Sequence, residues 1–380
     1  MKAKWLVSPR LNSWQKSLVA QLKKRCPGDP QLIWILSSGT QSVDQVKAIG
    51  LTRHALENSA RAVNQALEAK PSDRWLVALP EYHIGGYAIS VRARLSRSRV
   101  FRLPQWNIKS FVRSLSVNKI TLCSLVPTQL HDLVKAKIVC PKHLRALIIG
   151  GGALDSELYF EARQLGWPIL PSYGLSECAS QVATADLKSL NKKSFPPLKV
   201  LSHAKIKISD DRLLIQSSAA CSLVATMNRA GEFTLEDPLR KGWLPTEDLG
   251  ELKNGGLHPL GRRDELIKVL GTLVSLPQIE HELRKLAANL SGDLGVIAFR
   301  APRSGAVLAL VTDSLDSLQA WEELLGKYNQ SFRGPSRIVH LCWLPQLPRT
   351  SLGKLKRAEL RHLILNEGSR ELGTSKKSID

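Results

Sequence analysis

The sequence predicts an α/β protein with a large N-terminal domain of mostly parallel sheet, flanking helices and a β-rich subdomain, followed by a small α+β C-terminal domain. Three observations lead there. From about residue 30 to 185, short aliphatic or β-branched runs alternate with helical patterns, the rhythm of strands joined by crossover helices. After roughly residue 195 short strands and turn signals take over, which reads as antiparallel sheet. A polar, glycine-led segment at 261–264 then separates a last block in which helices alternate with strands.

Taken in order, residues 33–36 read as a strand, and Thr52 caps a helix whose apolar positions Leu56, Ala60, Val63 and Leu67 recur at helical spacing. Strands follow at 75–79, 100–103, 120–125, 146–149 and 169–170. Between them lie helices at 107–116, at 127–135 with Pro127 in the first turn, and at 155–165 with Asp155 as an acidic cap. In the antiparallel part, 204–208 and 213–217 flank the turn signal Asp210 and Asp211. The last block carries helices at 277–286 and 317–328 and strands at 295–299, 307–311 and 338–343. The expected domains are therefore 1–261, with its β-rich part at about 195–260, and 262–365, with 366–380 as a disordered polar tail. No internal repeat is seen.

A chain of 380 residues with 43% hydrophobic content is long enough for two or more cores. Its six cysteines lack metal-ligand spacing and its N-terminus lacks the apolar run of a signal peptide, so a reduced, cytoplasmic protein is expected. The longest apolar runs are strand-sized, and no transmembrane segment is predicted. A formal charge of +21 favours polyanionic partners through long-range steering. The densest basic cluster, Arg92, Arg94, Arg97, Arg99 and Arg102, reads as a solvated basic face, compatible with weak contact to an anionic membrane surface. No motif for specific nucleic-acid binding accompanies it.

Six segments carry groups suited to nucleotide and acyl chemistry. Ser37, Ser38, Gly39 and Thr40, in LSSGTQS after a strand, offer backbone N–H and hydroxyl donors to phosphate oxygens; an ordinary Ser/Gly turn reads the same way. RALIIGGGA runs a strand into three glycines, and Gly151 and Gly152 can form a flat wall beyond the strand's carboxyl end. PSYGLSECAS places Tyr173 for stacking on a base, Ser176 for a phosphate and Glu177 for Mg²⁺ through a hard oxygen. In GWLPTEDLG, Asp248 can accept hydrogen bonds from vicinal ribose hydroxyls, and Arg262, opening GRRDELIKVLGTLVSLPQIE, can donate to the same sugar or to a phosphate. Lys354 follows a glycine in LPRTSLGKLKR. Taken singly, an idle surface carboxylate, a linker cation and an exposed tail lysine explain these residues as well.

All six occur in one order in one chain, and in that order they resemble the motifs of the acyl-adenylate-forming superfamily of acyl-CoA synthetases, luciferases and adenylation domains. SSGT resembles its phosphate loop, YGLSE its Y-G-x-T-E motif, GWLPTEDLG its G-W-x-x-T-G-D-x-G motif, GRRDELIKVLGTLVSLPQIE its hinge segment and LPRTSLGK its lysine-bearing C-terminal motif. Within the superfamily, LPEYHIGGYAIS around His83, SLVPTQL around Thr128 and the SQVAT after YGLSE look most like the 2-succinylbenzoate–CoA ligases of menaquinone biosynthesis. The resemblance implies an ATP-dependent, AMP-forming ligase that takes ATP, Mg²⁺, CoA and a small carboxylic acid. By it, Lys354, Ser176 and Glu177 are catalytic, Glu177 holds the metal, His83, Thr128 and Gly151 line the acyl pocket, and the small domain is mobile about a hinge at Asp264. The substrate carboxylate attacks the α-phosphorus of ATP to give an acyl-adenylate, then the CoA thiolate displaces AMP, with Lys354 serving only the first half. A ligase for another aryl or medium acyl acid, a stand-alone adenylation enzyme for a carrier protein, and a non-catalytic relative with a basic binding surface share most of these features.

The sequence also departs from the pattern. Gln41 and Ser42 replace the Thr and Gly that usually follow, and a lysine comes only at Lys47, so a weaker grip on ATP is expected. Glu247 replaces the usual glycine beside Asp248 and adds repulsion near phosphates unless it points to solvent. The chain begins about 36 residues before the phosphate loop, where relatives carry a much longer segment, so part of the usual N-terminal subdomain is expected to be missing.

Overall fold

The computed structural model describes residues 3–37, 44–287, 289–301, 303–314, 316–332, 334–350, 353–366 and 370–371. They divide into two compact units, one ending at Leu260 and the other beginning at Gly261. The first unit is built on a seven-stranded sheet ordered Lys199–Val200, Ser180–Thr184, Ile169–Leu175, Ala146–Ile149, Leu122–Leu125, Arg74–Val77 and Arg99–Arg102. The last five in this order are mutually parallel, and the first two add antiparallel strands at one edge.

Buried aliphatic runs force helices onto both faces, because successive strand residues point to opposite sides. Trp75, Val77, Leu122, Ala146 and Ile148 meet Val63, Ile89 and Ala93 from the helices Arg53–Ala66 and Ile84–Ser96, and Leu67 at the C-cap of the first. Leu76, Cys123, Leu125, Leu147 and Ile149 pack on the other side against Phe111, Leu115, Leu130, Leu133 and Tyr159. Those come from helices Ile108–Val117, Pro127–Lys135 and Ser156–Gln164. Each such large apolar side chain contributes roughly 1.5–3 kcal/mol through burial. The caps match the sequence signals: Thr52, Asn107 and Asp155 each accept a backbone N–H of the first turn.

Arg74–Val77 lies between Arg99–Arg102 on one side and Leu122–Leu125 on the other, so the chain reverses its direction across the sheet there. Open parallel sheets bind ligands outside the carboxyl ends of strands at such a point.

Strand Leu32–Leu36 lies elsewhere. It pairs antiparallel with Gln45–Thr52 in a five-stranded sheet that also holds Lys4–Leu6, Leu223–Asn228 and Phe233–Glu236. The reason is length: the link from Leu36 to Gln45 is shorter than the roughly dozen residues a parallel crossover takes. Part of the β-rich segment thus returns to the N-terminal strands. Its remainder forms a four-stranded antiparallel sheet of Ala204–Ser209, Arg212–Ser217, Leu244–Lys253 and Gly256–Arg262. Asp210 and Asp211, at φ 50° and 62°, make the tight turn that their sequence signals.

In the second unit, Leu294–Ala301, Gly305–Thr312, Ile338–Trp343 and the short Arg370–Glu371 form one sheet. Helices Leu276–Leu286 and Leu318–Ser331 cover one face and Arg357–Asn366 the other. The hairpin of Leu266–Val269 and Thr272–Ser275 precedes them. Of the disordered tail expected over 366–380, residues 367–369 and 372–380 lie outside the described ones, whereas Asn366 ends helix Arg357–Asn366 and Arg370–Glu371 pairs with Ile338–Trp343. Among the described residues no helix is long and apolar enough to cross a membrane.

Candidate active site

The carboxyl edge of the parallel sheet gathers several of the residues singled out in the sequence. After Arg74–Val77 the chain turns through Pro80 to His83, the extended residue that caps helix Ile84–Ser96, with its ring tilted against Tyr82 at 4.7 Å. Burial pushes the His83 imidazole down to about 4, so the ring is neutral at pH 7. Thr128 is exposed in the first turn of Pro127–Lys135, just past Leu122–Leu125.

Three glycines follow Ala146–Ile149, and the fold accounts for two of them. A Cβ on Gly150 would come within 2.5 Å of Ser172 Oγ, and Gly151 has φ 78°. A Cβ on Gly152 would meet only the Pro127 ring at 3.6 Å, an ordinary contact, so the protein itself does not demand glycine there. The reading of a ligand-facing wall therefore rests on exposed Gly152 more than on Gly151.

Strand Ile169–Leu175 carries Tyr173, and the 3-10 turn Ser176–Cys178 carries half-buried Ser176 and Glu177. The turn exits through Ala179 and Ser180 at φ 54° and 108°, a left-handed backbone that costs about 1–3 kcal/mol per residue outside glycine. The Tyr173 hydroxyl donates to Asp248 Oδ2 at 2.5 Å, joining two motifs 75 positions apart. Burial and the adjacent Asp248 carboxylate push that hydroxyl up, so it stays protonated and donates. Asp248 lies on Leu244–Lys253. Its neighbour Glu247 is exposed and pairs with Arg212 at 3.3 Å, which answers the expected repulsion.

Ser37 stands at the base of the loop that joins Leu32–Leu36 to Gln45–Thr52, its N–H donating to Lys47 O at 2.9 Å. Ser38, Gly39 and Thr40 lie outside the described residues. Lys47 continues into the strand, and its Nζ reaches Glu177 Oε1 at 2.7 Å. No local signal reveals this pair, whose members are 130 positions apart. A hard carboxylate oxygen that already attracts a cation is a fitting donor for Mg²⁺.

The basic cluster is no uniform solvated face. Arg94 pairs with Glu57 at 2.7 Å and Arg102 with Glu81 at 2.8 Å, while Arg92 is 1% exposed. Arg92 Nη2 donates to Ser180 Oγ at 3.1 Å, and its Nε has no acceptor among the described residues. Burial pulls the guanidinium down to about 10, which leaves it charged at pH 7. Its helix has an inward stripe of Ile84, Ala88 and Ile89, and residue 92 continues that spacing, the signal by which the sequence could have placed it inside.

In the second unit, Arg262 forms a fork on Asp264, with Nε to Oδ1 and Nη2 to Oδ2 both at 2.9 Å. A role for Arg262 at a nucleotide thus competes with its own hinge-segment carboxylate. Lys354 is exposed on a tight loop in which Gly353 has φ 78° and Thr350 N–H donates to Lys354 O at 2.7 Å. Arg349 braces that loop, donating to Gly353 O at 2.7 Å and through Nε and Nη2 to the Asp293 carboxylate. Arg357 ties Glu265 of the hinge segment, at 3.1 Å, to Glu280 at 2.8 Å.

The AMP-binding enzyme family matches residues 4–217, more than half of the chain. The chain belongs to this family. It is similar to a 2-succinylbenzoate–CoA ligase of Bacillus thuringiensis subsp. konkukian (strain 97-27), 29% identical over 346 residues that span 87% of this chain and 69% of the relative. Its fold resembles that of o-succinylbenzoate CoA synthetase (MenE) from Bacillus subtilis in complex with the acyl-adenylate intermediate OSB-AMP, at TM-score 0.75 and 24% identity over 93% of this chain and 77% of that one. A second structure of that enzyme, in complex with ATP and magnesium ion, gives TM-score 0.72 and 24% identity over 87% and 69%.

The Tyr173 hydroxyl holds Asp248 Oδ2, and the motif of Asp248 leads one to expect that this carboxylate accepts from a ribose. Replacing Asp248 by alanine is expected to weaken ATP binding about ten- to a hundredfold, the loss of charge-assisted hydrogen bonds, while the fold survives one unpaired Tyr173 hydroxyl. Calorimetric titration with ATP checks it. An unchanged Kd would remove Asp248 from the nucleotide site.

Proposed function

We propose that this AMP-binding enzyme is a cytoplasmic, AMP-forming 2-succinylbenzoate–CoA ligase of menaquinone biosynthesis. The observation that carries the reading is that one strand and its turn, residues 169–178, bring Tyr173 onto Asp248 and Glu177 onto Lys47 at the carboxyl edge of the sheet. Motifs far apart in sequence thus meet as a nucleotide site would need. The activity named for the relatives supports the substrate.

The substrate carboxylate and the ATP phosphates repel one another, so the chain must supply cations and donors where charge spreads. Ser37 with the loop after it, and Ser176, donate to phosphate oxygens; Asp248 orients the ribose. Glu177 would hold Mg²⁺, which when bound offsets phosphate charge. Lys354 supplies an ammonium to adenylation and leaves by rotation at Asp264 before CoA attacks. The neutral His83, with Thr128 and Gly152, borders the acyl group.

A 2-succinylbenzoate substrate carries a second carboxylate that does not react, and Arg92 is the buried cation suited to it. A buried guanidinium whose Nε has no acceptor among the described residues costs stability, so a purely structural role would be poorly served. Arg92→Met is expected to raise KM for 2-succinylbenzoate about tenfold or more, leave KM for ATP unchanged, and melt no earlier than the parent. Pyrophosphate release across a panel of acids tests both statements: the parent should prefer 2-succinylbenzoate, and Arg92→Met should lose that preference. Preference for benzoate or fatty acids by the parent would overturn the substrate assignment and spare the family.

A further inference from the structure

The Lys47–Glu177 pair has a consequence for how a metal reaches the site. Both backbones are fixed: Lys47 is paired on one side with Ser37 and lies opposite Thr226 on the other, and Glu177 O accepts the Cys221 N–H at 2.7 Å. The side chains are freer. Lys47 is 38% exposed and Glu177 20%, so the ammonium can swing to another acceptor without disturbing the core, whereas the carboxylate stays where the turn puts it. A divalent cation approaching Glu177 therefore meets a lysine at 2.7 Å that has already neutralised the carboxylate. A lone carboxylate is also a weak ligand for Mg²⁺, which is usually bound through one or two carboxylates together with substrate phosphates.

We infer that Lys47 competes with the divalent cation for Glu177, so that the metal joins this site only together with the nucleotide, whose phosphate oxygens take over the Lys47 ammonium. The lysine is well placed for that exchange, because it sits at the base of the loop that begins at Ser37. From its place on strand Gln45–Thr52 its stem reaches sideways to Glu177. The inference rests on the reading of Glu177 as that ligand.

Mn²⁺ uptake followed by electron paramagnetic resonance, on the full chain with and without a non-hydrolysable ATP analogue, tests it without reference to turnover. The parent should bind Mn²⁺ at this site only with the analogue present. Lys47→Met should bind Mn²⁺ alone about tenfold or more tighter than the parent, the size of one charge-assisted contact removed, and adding Glu177→Gln should abolish the gain. Equal Mn²⁺ affinity of the parent with and without the analogue overturns the inference, and that comparison needs no variant to fold. A folded Lys47→Met that gains nothing overturns it as well. Glu177→Gln separates the two levels: if it loses analogue-dependent Mn²⁺ uptake while Lys47→Met gains nothing, Glu177 remains the metal ligand and only the competition fails. If Glu177→Gln keeps that uptake, the metal reading itself falls, and the inference with it.

Discussion

Replacing Lys354 by alanine is expected to lower adenylate formation on the order of 10²–10³-fold, the cost of removing one preorganised charge from a transition state, while supplied succinylbenzoyl-AMP and CoA still react at close to the parental rate. The loop geometry makes this a clean test. Gly353 at φ 78°, the Thr350 N–H on Lys354 O and the Arg349 brace all use backbone or other side chains, so the loop keeps its shape without the ammonium. Lysine suits the task better than arginine because a compact charge on a flexible stem can enter a closed site and leave again. Equal loss in both half-reactions, in a protein still folded by circular dichroism, would show that Lys354 is not confined to adenylation.

Glu177→Gln should be comparably damaging by a different route. The amide keeps the shape and removes the charge, so ATP–pyrophosphate exchange is expected to fall on the order of 10²-fold and to need far more Mg²⁺ for half-maximal rate. Folding should hardly suffer, because the Lys47 left behind is partly exposed and such pairs are worth about 0–1 kcal/mol. An exchange rate and Mg²⁺ dependence like the parent's would place the metal elsewhere.

How far the sequence reached depended on whether the signal was local. The run Ala146–Ile149 is buried throughout and is the strand that its sequence predicts, as is helix Pro127–Lys135 with proline in its first turn. The Asp210–Asp211 turn was legible because both residues tolerate positive φ. Helix Ser13–Arg25 was missed although its capping box, Asn12 with Gln15, is written in the sequence. Helix Ile84–Ser96 was missed because Gly85 and Gly86 blur its start; a Cβ at Gly86 would lie 2.4 Å from Pro80 O, so the glycine serves the packing of that entry turn. Pairing partners were the least legible. Nothing near Leu32–Leu36 announces Leu223–Asn228 in the same sheet, and the contacts Tyr173–Asp248 and Lys47–Glu177 exist only once the chain has folded. Composition misled at Arg92, where membership in a basic cluster concealed an inward position on a helix.

The proposed reaction joins 2-succinylbenzoate to CoA through an adenylate. Mass spectrometry of the full chain incubated with 2-succinylbenzoate, ATP, Mg²⁺ and CoA tests it most directly. Succinylbenzoyl-CoA and AMP are expected in equal amounts, with one pyrophosphate released for each, and no thioester when Mg²⁺ is withheld. Consumption of ATP without thioester, or a thioester formed from other acids but not from 2-succinylbenzoate, would contradict it.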